Sequence, residues 1–275
     1  MERRRTSNTG EHMKQKRKRI LATGDWHCGH QVGLTPPEYQ APMIDDERQA
    51  KYLNVRREVW KYFAATVRKY QPIDILLVNG DSLEGKGERS GSTELISSDR
   101  TVQCKIAQKV IEFIDPKKIR MTYGTPSHTG TDEDWEDIIA EAVGAKIGSH
   151  EWYDINGIII DMKHKIGSSN IPHGRLTPLA REVLWQKIWA SRQQVPEADI
   201  ILRSHVHYYE EIYHDGCRAF TLPAMQGFGS KFGSRQCSGT VDIGFVIFDI
   251  DEKGEYTWKP EKVLGTTQVA RAERL

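Results

Sequence analysis

An acid and an imidazole stand two residues apart in the stretch RILATGDWHCGH, Arg19 to His30, just where an apolar run gives out. Carboxylate and imidazole together suit a divalent metal such as Zn, Mn or Fe, for which both are common ligands. In extended backbone, side chains at i and i+2 share a face. Asp25 and His27 can therefore aim at one point while Trp26 turns the other way. Taken alone, the same pattern also describes a turn acid beside a surface histidine. What separates the two readings is whether other strand ends supply more ligands.

They do. Ile73 to Val78 is a nearly continuous apolar run, as expected of a strand covered on both faces, and it delivers Asn79-Gly80-Asp81. Ile119 to Tyr123 delivers Gly124-Thr125-Pro126-Ser127-His128. His164 follows the run Ile158 to Met162, and Asp199 to Leu202 delivers Ser204-His205-Val206-His207. Open α/β folds place their ligand sites at the carboxyl ends of strands. The recurrence of acids and imidazoles at those ends weighs more than any single motif.

The elements that must position them follow from periodicity. Val55, Val59, Trp60, Phe63, Ala64 and Val67 recur at helical spacing within Asp45 to Tyr70, which predicts a helix there. A second helix is expected from Asp99 to Phe113. A third starts at Thr131 or Asp132 and reaches Val143, with its acids, Asp132-Glu133-Asp134, favoured at a helix N-terminus. A fourth runs from Thr177 to Gln193, with Pro178 well placed in its first turn. Asn156-Gly157 between two apolar runs is a strong hairpin signal. Gly85 to Ser98 reads as a mobile polar loop. The final third is β-rich, with Phe245 to Phe248 its plainest strand. Helices alternating with strands, then a strand-rich end, predict an α/β fold of two packed mixed β-sheets flanked by helices.

Composition bounds the rest. A chain of 275 residues can bury a substantial core. Lys and Arg number 39 against 38 Asp and Glu, a net charge of +1, so no global field points to nucleic acid or a membrane. The basic residues are uneven, however. Residues 1–17 carry Arg3-Arg4-Arg5 and Lys14 to Arg17 with almost no apolar content. They are expected to form a disordered tail, or an arm that touches phosphates with salt-dependent affinity. Residues 18–265 are expected to form one domain and 266–275 a flexible C-terminus. No apolar run approaches the ~20 residues of a membrane span. Cys28, Cys104, Cys217 and Cys237 show neither CxxC pairing nor scaffold density, which fits a reduced, cytoplasmic setting.

Order and local sequence together resemble the calcineurin-like metallophosphoesterases, from about residue 19 to about residue 250. The match is nearest to a phage and prophage group with motifs DxHCG, NGDxxxG, GTPxHxG and a late HxH. Here these read Asp25-Trp26-His27-Cys28-Gly29, Asn79-Gly80-Asp81-Ser82-Leu83-Glu84-Gly85, Gly124 to Gly130, and His205-Val206-His207. The resemblance implies a four-layer sandwich and a pair of divalent ions, Mn foremost, with Fe, Zn or Ni as alternatives. Asp25, His27 and His207 would hold the first ion and His164 and His205 the second. Asp81 would bridge both. His128 would contact the phosphate and assist the leaving group. A hydroxide held between the ions would attack phosphorus.

Two positions depart from the family pattern. Its Gly-Asn-His is here replaced by a stretch containing Thr125 and Ser127, so on this resemblance a hydroxyl or a water would stand in for the Asn carbonyl and the second ion would be held more weakly. Ser204 occupies the place of a glycine before the late histidine pair. Glu84 is either a solvated turn acid or an acid that orients a ligand.

The substrate expected is a phosphodiester: DNA, RNA or a cyclic nucleotide. The Arg-bearing motifs of protein phosphatases are missing, and His128 suits a poor alkoxide leaving group. Trp26, Phe228, Phe232, Lys231 and Arg235 are candidates for a stacking and phosphate-binding rim, or for core. A phosphomonoesterase acting on a small metabolite is the alternative enzyme. A metal-bound nucleic-acid-binding module too depleted to turn over is the alternative from another class.

Overall fold

A computed structural model of the chain describes residues 16–40, 47–227, 240–264 and 272–273. The N-terminal basic segment up to residue 15, Phe228, Lys231, Phe232, Arg235 and Cys237, and most of the C-terminal segment lie outside the described residues.

The first strand, β1 (Lys18–Thr23), shows how sequence builds the layers. Ile20 and Ala22 point into one apolar cluster and Leu21 into another, all fully buried. Period-two alternation with both faces covered is what makes the run apolar throughout. Next come α1 (Glu47–Tyr70), β2 (Ile75–Asn79), α2 (Arg100–Ile114) and β3 (Ile119–Thr122). A short helical turn, α3 (Pro126–Thr129), precedes α4 (Trp135–Ala142), β4 (Lys146–Gly148), β5 (Glu151–Ile155) and β6 (Ile158–Met162). The chain continues through α5 (Leu176–Ser191), β7 (Ile200–Arg203), β8 (Glu210–His214), β9 (Cys217–Thr221), β10 (Asp242–Ile250) and β11 (Tyr256–Leu264).

Six strands form one sheet in the order β11-β10-β1-β2-β3-β4, and five form the other in the order β5-β6-β7-β9-β8. Both are mixed. β1 to β4 run parallel, β10 runs antiparallel to its neighbours β1 and β11, and β6, β7 and β9 run parallel with β5 and β8 reversed. Ile20, Leu77 and Phe248 of the first sheet meet Ile160, Leu202 and Phe220 of the second in the central core. The outer face of the first sheet packs on Val59 and Phe63 of α1, Ile106 and Val110 of α2, and Ile139 of α4. The second sheet is backed by Leu179 and Val183 of α5. This is the expected sandwich: helices, sheet, sheet, helix.

The predicted elements need four adjustments. α4 begins after Asp134 rather than at Thr131 or Asp132, because Thr129 Oγ1 donates to Asp134 (2.8 Å) and closes the preceding acids into a turn. β4 is an extra edge strand paired with β3. The loop of residues 85–98, expected to be mobile, is tied down along much of its length. Ile96 N–H donates to Gly29 (2.7 Å), Gln31 N–H donates to Glu94 (2.8 Å), and the Gln103 amide holds Gly85 and Ser97. Trp26 is no rim residue: it is fully buried, its indole N–H donating to Thr23 Oγ1 at 2.9 Å.

Candidate metal centre

The carboxyl ends of β1, β2, β3, β6 and β7 open towards one place, and every candidate ligand lies within a few residues of one of them. Three overlapping groups have ligand atoms within 4.8 Å of one another: Asp25, His27 and His207; His27, Asp81 and His128; Asp81, His164 and His205. The implied first-ion set and the implied second-ion set, joined through Asp81, are thus both assembled in space.

How the chain turns these side chains inward differs from the extended-strand argument. Asp25 (φ 50°), His27 (φ 47°), Asp81 (φ 52°), His205 (φ 75°) and His207 (φ 56°) all sit in the left-handed region. They are five of the ten non-glycine residues with positive φ among those described. Such backbone costs on the order of 1–3 kcal/mol per residue and persists only where its surroundings hold it. The hydrogen bonds that hold it are specific. Asp25 N–H donates to Gly80 O (2.9 Å), His27 N–H to Asp81 O (3.0 Å) and Asp242 N–H to His207 O (3.0 Å). His205 N–H donates to Asp25 Oδ2 at 2.8 Å, joining the two sheets across the site.

Asn79 ties the floor of the site together. Its Oδ1 accepts from Thr122 Oγ1 (2.6 Å), and its amide donates to Lys163 O (3.2 Å) and Ser204 Oγ (2.9 Å). Its carbonyl accepts from His164 Nδ1 at 2.7 Å. Ser204, where the family pattern has glycine, is therefore accommodated: its buried hydroxyl takes a hydrogen bond that a glycine would leave unmade.

Glu84 is buried rather than solvated, and its Oε2 lies 2.8 Å from His27 Nδ1. A carboxylate behind a ligating imidazole fixes its tautomer and leaves the other nitrogen free for the ion. Burial pushes the Glu84 carboxyl up, yet the imidazoles of His30 and His27 outweigh it and bring it down to about 2. His128 Nδ1 meets the Glu84 backbone carbonyl at 2.9 Å, and its ring centroid lies 4.6 Å from that of His27. Thr125 donates to Asp81 Oδ1 through its N–H (2.7 Å) and its hydroxyl (3.1 Å), so it orients the carboxylate. Ser127 is exposed and 3.2 Å from Thr125 Oγ1.

Other histidines and Cys28 stand apart from this cluster. His30 is buried and accepts from Val32 N–H. His150 stacks on Trp152 and meets Asp161. Cys28 is fully buried in the apolar core beneath the first sheet, its thiol donating to Leu34 O at 3.3 Å.

Two atoms test whether the site fits cations. Asp25 Oδ1 is buried with no hydrogen-bond partner, and the buried His164 Nε2 has as its near neighbour the Asp81 carboxylate, with Oδ2 at 3.1 Å. Asp25 Oδ1 faces three imidazole nitrogens: His207 at 3.4 Å, His27 at 3.9 Å and His164 at 4.0 Å. An unmet buried acceptor costs about 1–3 kcal/mol, more when charged. Two carboxylates ringed by four imidazoles, with such atoms aimed inward, form a donor set suited to divalent transition metals.

Charge states follow from the same packing. Burial depresses His205 to about 4, so it is already a neutral donor. Burial also lowers His164, but Asp81 and Asp25 outweigh it and push it up to about 10. A metal must therefore displace a proton from His164. Affinity for Mn²⁺ is expected to rise from about pH 7 to about pH 9, by up to about tenfold per unit, with proton release visible by calorimetry in buffers of different ionisation heat. A pH-independent affinity would contradict this charge state.

One participant escaped the sequence reading. Glu136, in the first turn of α4, is fully buried, and burial raises its carboxyl to about 7. Nothing local marks it among the neighbouring acids; only its contacts across the fold do.

No protein-family model and no curated protein matches the chain. Among solved structures, it is similar to Vps29 of Entamoeba histolytica crystallised with zinc, at 14% identity and a TM-score of 0.45, over 90% of this chain and 99% of that one. It is also similar to an archaeal phosphodiesterase at 13% identity and a TM-score of 0.41, over 88% and 99%. A predicted phosphoesterase of Streptococcus pneumoniae matches at 12% identity and a TM-score of 0.34, over 90% and 98%. Each spans most of both chains at low identity. Among the described residues no helix is long and apolar enough to cross a membrane.

Proposed function

We propose that this chain is a metal-dependent phosphodiesterase of the calcineurin-like metallophosphoesterase type, acting on nucleic acid or nucleotides. The observation that carries the reading is the convergence of Asp25, His27, Asp81, His164, His205 and His207, with Asp25 Oδ1 buried and unmet. Two divalent ions, Mn²⁺ foremost, would neutralise charge building on the phosphate oxygens and acidify water for attack.

The chain's own residues supply orientation and protons. Glu84 and the Asn79 carbonyl fix the rings of His27 and His164. His128 is anchored at Nδ1, which leaves Nε2 to meet substrate. Burial pulls its pKa down, but Asp81 and Glu84 outweigh this and hold it above the ordinary imidazole value. A protonated Nε2 suits delivery of a proton to a departing alkoxide.

The basic residues beside the ligands favour a diester over a monoester. Arg203, just before Ser204, is turned to Asp161 (2.7 Å) and Glu182 (2.8 Å), and Lys163, just before His164, is turned to Glu182 (3.1 Å). Neither adds positive charge for a phosphomonoester dianion. The test is hydrolysis of an activated diester and its monoester counterpart by metal-stripped protein given Mn²⁺. Diester turnover well above monoester is expected. Monoester preference would make this a monoesterase, and metal binding without turnover would make it a binding module.

A further inference from the structure

We propose that Glu136 is a positioning residue that sets the bridging carboxylate, Asp81, for metal binding. This rests on the metal reading of the site and concerns a side chain that touches no ligand directly. Glu136 Oε1 accepts from the N–H of Ser82 at 2.8 Å, and Oε2 accepts from the N–H of Gly124 at 2.7 Å. Ser82 directly follows Asp81. Gly124 directly precedes Thr125, whose N–H and hydroxyl both donate to Asp81 Oδ1. One buried carboxylate thus clamps the peptide beside the bridging ligand and the peptide beside the residue that orients it.

The clearance there shows why the clamp must be tight. A Cβ on Gly124 would stand 2.1 Å from Asp81 Oδ1 and 2.3 Å from Asp81 N. The two loops touch backbone to side chain, with no room for slack. They leave the ends of adjacent parallel strands, where Asn79 of β2 is in register with Thr122 of β3. The strands fix the loops' origins, and Glu136 fixes their tips relative to each other. Burying a carboxyl is costly unless its oxygens are hydrogen-bonded, which makes it a poor device for stability alone. Here it meets two backbone donors that flank a ligand.

Glutamine is isosteric but has one oxygen. In Glu136→Gln, one of the two N–H groups must face an NH₂ group, and one loop is released. Loss of a partner that orients a ligand typically weakens metal binding about 10–100-fold. The experiment is a Mn²⁺ titration of the metal-stripped full chain by calorimetry, far below Tm, on wild type, Glu136→Gln, Glu136→Asp and Ile139→Val. Ile139→Val trims the buried core of the same helix and serves as the control for simple destabilisation. We expect weakening of about 10–100-fold in Glu136→Gln, weakening in Glu136→Asp because its reach falls short of one N–H, and wild-type affinity in Ile139→Val. If Glu136→Gln does not fold, Glu136→Asp alone carries the comparison. Wild-type affinity in the Glu136 variants, or equal weakening in Ile139→Val, would overturn the positioning role while leaving the metal reading intact. A wild-type chain that takes up no Mn²⁺ would overturn the metal reading and this inference with it.

Discussion

Replacing Asp81 with Asn is expected to lower phosphodiester turnover by about 10²–10³-fold, the scale of losing a principal electrostatic group, and to lower metal occupancy as well. The geometry gives the reason. Asp81 uses Oδ1 to accept from the Thr125 N–H and presents Oδ2, 3.2 Å from the Thr125 hydroxyl, 3.1 Å from His164 Nε2. A carboxylate can keep the first contact and still offer oxygen on its other side. An amide cannot: if its oxygen stays with Thr125, its NH₂ group, a donor, faces the metal side. The Thr125 contact survives, so the fold should be retained and far-ultraviolet circular dichroism unchanged. Full metal occupancy in Asp81→Asn would show that Asp81 is not a ligand.

The second large effect is expected at His128, with a different signature. His128→Ala should cost about 10²–10⁴ in turnover, the range for a positioned general acid, while metal stoichiometry stays at the wild-type value. The loss should be greater for a substrate with a poor alkoxide leaving group than for one leaving as a nitrophenolate, which needs little protonation. His128 nonetheless lies within ligand reach of His27 and Asp81, so the metal measurement decides its role. Metal loss equal to that of Asp81→Asn would make His128 a ligand instead of an acid.

Much of this site is legible in the amino-acid sequence. Asp25, His27, Asp81, His164, His205 and His207 were all marked by one physical regularity, polar metal-binding types at the ends of apolar strands, and they do converge. Helix α2 begins as read, with the Asp99 side chain accepting from Thr101 N–H. The Asn156-Gly157 turn is made by two left-handed residues, as its composition demands.

What was not legible is mostly non-local. The pairing of Asp25 with His27 looked like strand alternation, but the backbone there is left-handed at both residues. That conformation is set by hydrogen bonds to residues of the β2 loop, more than fifty positions away. Glu84 carried no local sign of burial, since Gly85 and the polar run after it read as solvent-exposed. Its environment comes from His27, His30 and His128 arriving from two other loops. Glu136 was invisible for the same reason: its partners, Ser82 and Gly124, offer backbone groups, which no sequence pattern announces. β4 is three residues long, too short to show periodicity.

On the proposed reading, two divalent ions share Asp81. Metal-stripped protein should therefore be titrated with Mn²⁺ while stoichiometry is followed by calorimetry and spin coupling by electron paramagnetic resonance. Two ions per chain with the spectrum of an exchange-coupled pair are expected, with loss of that coupling in Asp81→Asn. Uptake of a single ion, or of two ions whose spectra remain those of isolated Mn²⁺, would contradict that reading.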